Sequence, residues 1–168
     1  MNDFTFAHRE EGFDNHIDKS IRGYKDLLDD VVSFSKYFVE DKSTVLDIGC
    51  STGKLTKRIL FENYIHKNLV SYEGVEYAKG FQEDLYKRQE ELWSLIDKEE
   101  DSLRSFTVFH DKDVREMNLK YRNYSFITSI FTLQFMPKHD RERLIKNIYD
   151  SLIPGGAFVF AEKVYSQN

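Results

Sequence analysis

The residues whose types and spacing most clearly suggest a ligand-binding role form one short stretch, Asp47-Ile48-Gly49-Cys50-Ser51-Thr52-Gly53. A β-branched and apolar run precedes it, and a helical pattern follows it. Glycines let a backbone approach a ligand closely, and the first N–H groups of a helix have no partner inside the helix. A strand, a glycine turn and a helix in this order predict a nucleotide-binding turn. The acid Asp47 would repel a phosphate, but it suits a ligand that carries an ammonium or sulfonium group.

The same turn matches other chemical patterns, and its context argues against each of them. Residues 49–53 fit the G-x-S-x-G elbow of α/β-hydrolases, but that serine follows several strands, and here only a helical segment precedes the turn. A P-loop would place Lys-Ser or Lys-Thr in the turn, whereas Lys54 is followed by Leu55. The compact G-x-G-x-x-G of NAD-dependent dehydrogenases is absent as well.

Further polar residues follow the later predicted strands. Glu76 closes the second strand, where an acid can accept bonds from ribose hydroxyls. After the third strand, Asp113 could accept the adenine amino group while the next backbone N–H faces a ring nitrogen, although Asp111 competes for this role. Phe131 follows the fourth strand and is spaced to flank a ligand. The acid, the early glycine turn and Glu76 together predict S-adenosylmethionine (SAM) as the ligand.

The elements that must position these residues alternate between strands and helices. An irregular arm is expected at 1–16, and helical spacing predicts two helices at 17–39 with a break near Gly23. Strands are expected at 44–48, 69–76, 106–110, 124–130 and 157–164, and further helices at 53–64, 79–100 and 140–152. Strands that alternate with helices form parallel sheets. We therefore predict a doubly wound, Rossmann-like α/β fold with strand order 3-2-1-4-5. One domain is expected over 1–168, with an N-terminal arm and helices at 1–40 and the core at 44–165.

Composition narrows the class of protein. The net charge of −5 argues against a uniformly basic nucleic-acid binder, so direct nucleic-acid binding is not expected. The single cysteine, Cys50, allows no internal disulfide and favours a reducing compartment. No apolar run approaches the roughly 18 residues of a membrane span, and the polar start is unlike a signal peptide. A cytoplasmic protein without a membrane segment is expected. The five scattered histidines predict no metal site.

Several of these features together resemble class I SAM-dependent methyltransferases: the glycine turn, Glu76, Asp113 and the Pro154-Gly155-Gly156 segment. Two longer parts resemble the carboxy-S-adenosylmethionine (carboxy-SAM) synthases within that superfamily. The first joins Phe13-Asp-Asn-His-Ile17 to Ser20-Ile-Arg-Gly-Tyr24. The second joins Phe131-Thr-Leu-Gln-Phe135 to Ile148-Tyr149, the Pro-Gly-Gly segment and Glu162-Lys163. The resemblance covers about residues 4–165.

This resemblance implies a SAM-binding transferase. Carboxy-SAM synthases convert SAM and prephenate into carboxy-SAM, which is used to modify the wobble uridine of tRNA. By position, Tyr24 matches a ligand-contacting tyrosine, and Gly49 matches the glycine beneath the amino-acid moiety. Two residues differ from the family's asparagines, Tyr77 after the ribose acid and Ile130 at the end of the fourth strand. The full set of predicted cofactor-binding residues is Tyr24, Asp47, Gly49, Cys50, Ser51, Gly53, Glu76, Tyr77, Asp113, Val114, Ile130 and Phe131.

The end of the sequence leads to two further expectations. Members of the synthase family continue with more helices, a hairpin of two strands and an arginine that grips the added carboxylate, and no residue here is matched to that arginine. Without the hairpin, the apolar fifth strand would form a sheet edge. We expect a second copy, another chain or the N-terminal arm to cover it.

No catalytic side chain is predicted, because SAM carries its own leaving group and the protein mainly positions the acceptor. Three functions stay open: carboxy-SAM formation, methyl transfer to an unknown acceptor, and SAM or partner binding without catalysis.

Overall fold

A computed structural model of the chain describes residues 12–96, 105–120 and 122–164. Five α-helices are present in this part: α1 (Phe13–Ser20), α2 (Tyr24–Phe38), α3 (Lys54–Asn63), α4 (Gln82–Ile96) and α5 (Lys138–Ser151). The strands are β1 (Thr44–Ile48), β2 (Ser71–Glu76), β3 (Phe106–Asp111), β4 (Tyr124–Ile130) and β5 (Leu152–Ala161). Single 3-10 turns lie at Lys79–Phe81, Val114–Glu116 and Leu133–Phe135.

The strands form one parallel sheet in the order β3-β2-β1-β4-β5, which confirms the predicted fold class. All five residues of the central strand β1 are buried, as expected for a strand covered on both faces. Alternate residues serve opposite faces. Val45 packs with α2 and α3, and Leu46 packs with the α5 residues Leu144 and Ile148. The parallel order places the ends of β1, β2 and β4 at one edge, where ligands bind in such sheets.

The N-terminal segment differs from the predicted irregular arm. Helix α1 already begins at Phe13, after Gly12 with φ +85°, because the Phe13 ring is buried against Phe81 with their centroids 4.8 Å apart. The break between α1 and α2 falls at Gly23, as predicted, and this glycine has φ +75°. Residues 1–11 of the expected arm lie outside the described residues.

Other predicted boundaries shift for local reasons. Strand β2 begins two residues later than predicted, since Leu69 has φ +57° and is not extended. Helix α4 begins at Gln82 after a 3-10 turn, and the predicted positions 97–100 are outside the described part. Strand β5 begins directly after α5 and contains the Pro-Gly-Gly segment as an irregularity. Its pairing moves from Tyr124–Leu152 to Phe126–Ala157.

Strands β3 and β5 form the two edges of the sheet. At β3, the side chain of Gln89 on α4 donates to the carbonyl of Thr107 at 2.7 Å and accepts from the N–H of Phe109 at 3.0 Å. Trp93 donates to the same carbonyl. At the other edge, β5 pairs with β4 alone among the described strands, and its Phe160 is 56% exposed. No helix among the described residues has the length and apolarity to span a membrane.

Candidate functional site

Backbone hydrogen bonds hold the turn after β1 at the carboxyl edge of the sheet. The N–H groups of Gly49 and Cys50 both donate to the carbonyl of Val75, at 2.8 and 3.2 Å. Gly53 is the N-cap of α3, and no side chain caps this helix. Within the first turn of α3, the N–H of Thr56 faces the carboxylate of Asp47, and those of Lys54 and Leu55 have no side-chain acceptor among the described residues. Such unpaired groups favour polar or anionic ligand atoms.

The two glycines of the turn make room for different neighbouring side chains. A Cβ on Gly49 would lie 2.1 Å from the hydroxyl oxygen of Thr132, so the turn after β4 can approach only a glycine here. A Cβ on Gly53 would lie 2.7 Å from the Phe109 ring, and φ is +72°. Gly49 lines both cavities described below, whereas Gly53 lines neither of them. The structure thus gives Gly53 a packing role, and its predicted ligand contact stays untested.

Asp47 is a buried carboxyl at the start of the turn. It is 2% exposed and accepts hydrogen bonds from the hydroxyls of Thr128 at 2.8 Å and Thr56 at 2.9 Å. Burial raises the pKa of Asp47 to about 6, although the two hydroxyls oppose the shift. The negative charge of Glu76 raises it further. A buried acid with few compensating charges suits a cationic ligand group, because the cation would restore balance.

Glu76 lies at the end of β2, as predicted, and it organises the surrounding backbone. Its carboxylate accepts from the N–H groups of Ser51 at 2.9 Å, Tyr77 at 2.9 Å and Ala78 at 2.8 Å. Burial raises its pKa, and these three hydrogen bonds partly oppose the rise. Because an ionised carboxylate offers about four acceptor positions, Glu76 keeps capacity for a ligand hydroxyl.

A first cavity, about 280 Å³, opens beside this turn. It collects eight of the predicted residues, Tyr24, Asp47, Gly49, Cys50, Ser51, Glu76, Ile130 and Phe131. Burial raises the pKa of Tyr24 above its usual range, with the nearby Asp47, Asp14 and Asp18 as further causes. The Tyr24 ring centroid lies 6.2 Å from that of Phe131.

A second cavity, about 560 Å³, is lined by three more of the predicted residues, Tyr77, Asp113 and Val114. Both cavities share Gly49, Glu76, Ala78, Thr132 and Phe135, so Glu76 lies where they meet. This arrangement has the shape needed for a ligand with two parts joined at a ribose. The first part would face Asp47, and the second would face the loop after β3.

The predicted adenine acid is already paired within the protein. Asp113 accepts from the Nε of Arg115 at 2.9 Å and from its backbone N–H at 2.9 Å, and these bonds lower the pKa of Asp113. Arg115 also bonds to Asp140 at 2.8 Å. The competing acid, Asp111, instead accepts from the side chain of Gln82. Asp113, the predicted residue, therefore lines the second cavity, and its carboxylate is paired with the guanidinium of Arg115.

Helix α1 supplies a wall of the first cavity that the sequence pattern did not reveal. Asp14 accepts from the Thr52 hydroxyl at 2.9 Å, and Asp18 pairs with Lys54 at 3.3 Å. These bonds hold α1 against the glycine turn. Their partners lie 36–38 positions away in sequence, so no local pattern could have shown them. Five residues of α1 line the cavity: Phe13, Asp14, His16, Ile17 and Ser20.

A model of one protein family, described as a methyltransferase domain, matches residues 19–166. The chain belongs to this family. Two curated relatives are carboxy-S-adenosyl-L-methionine synthases. The protein from Staphylococcus epidermidis is 36% identical over 90% of this chain and 59% of its own length. The protein from Shewanella frigidimarina is 31% identical over 100% of this chain and 64% of its own length.

The fold of this methyltransferase domain is shared by solved structures. An S-adenosylmethionine-dependent methyltransferase from Clostridium acetobutylicum superposes with a TM-score of 0.60, covering 92% of this chain and 55% of that one. At 18% identity, this likeness shows the fold alone. The chain spans about three fifths of the length of the curated relatives named above, 59% and 64%.

Proposed function

We propose that the methyltransferase domain binds SAM across the two cavities and acts as a SAM-dependent transferase. The observation that carries this proposal is the place of Glu76, where both cavities meet, with the buried Asp47 on one side and the loop of Asp113 on the other. The ribose would lie at Glu76, the amino-acid part and sulfonium near Asp47, and the adenine near Asp113 and Val114. When bound, SAM supplies the group that is transferred and its own leaving group.

The electrostatics of the first cavity support a cationic ligand. Three carboxyl residues line it, Asp14, Asp47 and Glu76. Among its described lining residues, Lys54 is the only lysine or arginine, and Lys54 is paired with Asp18. The sulfonium and ammonium groups of SAM would therefore enter a region of negative potential.

A thermal-shift series tests the ligand class. SAM, its demethylated product and carboxy-SAM should each raise the midpoint of unfolding, whereas NAD should not. A ligand that binds only the folded protein stabilises it by about 2.7 kcal/mol at a concentration of 100 Kd. A shift with NAD alone, or no shift with SAM, its demethylated product or carboxy-SAM, would contradict the proposal.

Within this class we propose carboxy-SAM formation as the leading activity, on the strength of the two curated relatives. Incubation with SAM and prephenate followed by mass analysis should show carboxy-SAM. Methyl transfer to another acceptor is the alternative. It predicts no carboxy-SAM, and it predicts the demethylated product only when a methyl acceptor, for example in a cell extract, is added to the incubation. A non-catalytic SAM-binding module is favoured by one observation: no arginine lines the first cavity among the described residues. That function predicts SAM affinity without turnover.

We also propose that a second copy or another chain covers the outer edge of β5. An exposed strand edge offers unpaired backbone groups, and the half-exposed Phe160 adds apolar surface. Sedimentation should then show a dimer or a complex, and hydrogen exchange should show protected amides in β5. A stable monomer with rapidly exchanging edge amides would exclude such a partner.

A further inference from the structure

The turn after β4 is fastened to the end of β5 by three side-chain hydrogen bonds. The carboxylate of Glu162 accepts from the N–H of Leu133 at 2.8 Å and from the N–H of Gln134 at 3.0 Å. In return, the N–H of Lys163 donates to the side-chain oxygen of Gln134 at 3.0 Å. The N–H of Phe131 also donates to the carbonyl of Ala161 at 2.7 Å. These bonds fix both the backbone and the side chain of Gln134.

The bond to Lys163 determines which end of the Gln134 amide is available. A backbone N–H can only donate, so the atom that faces it must be the amide oxygen. The NH₂ group is then the free end of the side chain, and it has no hydrogen-bond partner among the described residues. Gln134 lines the first cavity but not the second. It therefore offers a neutral donor to a ligand in the first cavity.

Gln134 adds a neutral donor to a cavity that also contains the first N–H groups of α3 and the hydroxyls of Tyr24 and Ser51. The carboxyls of Asp14, Asp47 and Glu76 suit the cationic groups of a ligand but would repel a carboxylate. Lys54, the nearby cation, is shared with Asp18. A ligand that carries both a cation and a carboxylate must therefore place its carboxylate away from the three acids, toward a donor such as Gln134.

We propose that the side-chain amide of Gln134 donates a hydrogen bond to a carboxylate oxygen of the adenosyl ligand, and that Glu162 positions it. The inference deepens the proposed SAM site and rests on it. Two carboxylates have this chemistry: the amino-acid carboxylate, which SAM and carboxy-SAM share, and the added carboxylate of carboxy-SAM. Gln134 is thereby assigned to ligand recognition and Glu162 to positioning.

Calorimetric titration of Gln134→Glu with matched ligands tests this proposal. Glutamate keeps an oxygen for the N–H of Lys163 but replaces the donor with a negative oxygen that repels a carboxylate. Hydrogen bonds to charged groups contribute about 1.5–3 kcal/mol, so affinity should fall roughly 10- to 100-fold for ligands that use this contact. The ligands are SAM, carboxy-SAM and decarboxylated SAM, which keeps the sulfonium and the amine.

The pattern of losses identifies the carboxylate. Weaker binding of SAM and carboxy-SAM, with decarboxylated SAM unaffected, assigns Gln134 to the amino-acid carboxylate. Weaker binding of carboxy-SAM alone assigns it to the added carboxylate. Unchanged affinity for all three ligands, or an equal loss for all three, overturns the inference. A wild-type protein that binds none of them contradicts the proposed function instead.

Two further variants separate recognition from simple damage. Asn147→Asp, an exposed position on α5, makes the same amide-to-acid change away from the cavity and should leave every affinity unchanged. Glu162→Gln retains the shape of the side chain but places an NH₂ opposite one backbone donor. It should reproduce the ligand-dependent pattern of Gln134→Glu to a smaller degree. A uniform loss for all ligands in Glu162→Gln would show a merely structural role for this residue.

Discussion

The buried acid Asp47 leads to a prediction in which stability and binding change in opposite directions. Replacing Asp47 with asparagine removes the ionisable group with little change in shape. The hydroxyl of Thr128 can still donate to the amide oxygen, and the hydroxyl of Thr56 can turn to accept from the amide nitrogen. The variant therefore resembles the protonated form of the wild-type residue at every pH.

The expected magnitude follows from the pKa of Asp47. Burial raises this pKa from 3.8 to about 6 in the folded protein. Between these values the folded state holds a proton that the unfolded chain has lost, so wild-type stability falls as pH rises through this window. A shift of about two pKa units corresponds to roughly 3 kcal/mol. Asp47→Asn should thus match the wild type near pH 4 and exceed its free energy of unfolding by up to roughly 3 kcal/mol at pH 7.5.

Urea unfolding of both proteins at a series of pH values between 4 and 7.5 measures this difference. The difference between variant and wild type is the informative quantity, because contributions of groups such as Glu73 and Asp113 are common to both proteins. SAM affinity should move the other way and fall at least tenfold in Asp47→Asn at pH 7.5, since the ligand cation loses its partner. A variant that is less stable than the wild type at pH 7.5, or a difference independent of pH, would refute the reasoning.

Other substitutions test the packing and the cover of the site. Gly74→Ala should lower the free energy of unfolding by about 1–3 kcal/mol in urea titration, because its Cβ would lie 2.6 Å from the Phe109 ring; a neutral effect would contradict this packing. Thr52→Val removes the hydrogen bond to Asp14 and should speed SAM dissociation in stopped-flow measurements, whereas unchanged rates would show that this bond does not hold α1 closed. Glu73→Gln weakens the ion pair with Arg122, in which the N–O distance is 3.0 Å, and should lower the free energy of unfolding by about 1–3 kcal/mol. A thermal unfolding midpoint equal to that of the wild type would contradict a stabilising role for this pair.

The sequence was most informative where structure and ligand depend on local pattern. Strands β1 and β4 have the predicted bounds, and every residue of the two except Ile130 at the end of β4 is buried. The helix after Gly53 follows directly from the turn. The glycine turn and Glu76 stand out in the sequence because a nucleotide-binding turn would impose fixed residue types at fixed spacing. The contacts of these residues with SAM stay a prediction.

Features that depend on distant partners were missed. Gly74 in β2 leaves room for the Phe109 ring and for the sulfur of Cys50, which would lie 2.8 Å from a Cβ at this position. The side chain of Gln89 on α4 bonds to the backbone of the edge strand β3, 18 and 20 positions later in the chain. The role of Glu162 depends on a turn 28–29 residues earlier in the chain. No short-range periodicity carries this information.

Two carboxylates hold the walls of the first cavity in conformations that the backbone alone disfavours. Ser51 has φ +49° and Phe131 has φ +57°, and non-glycine residues rarely adopt such values. Glu76 accepts from the N–H of Ser51 itself, and Glu162 accepts from the two N–H groups that follow Thr132. The cost of each left-handed residue is thus offset by charge-assisted hydrogen bonds within the chain. Both the donors and the acceptors of these bonds belong to the chain, so they order the cavity walls without using an atom of a ligand.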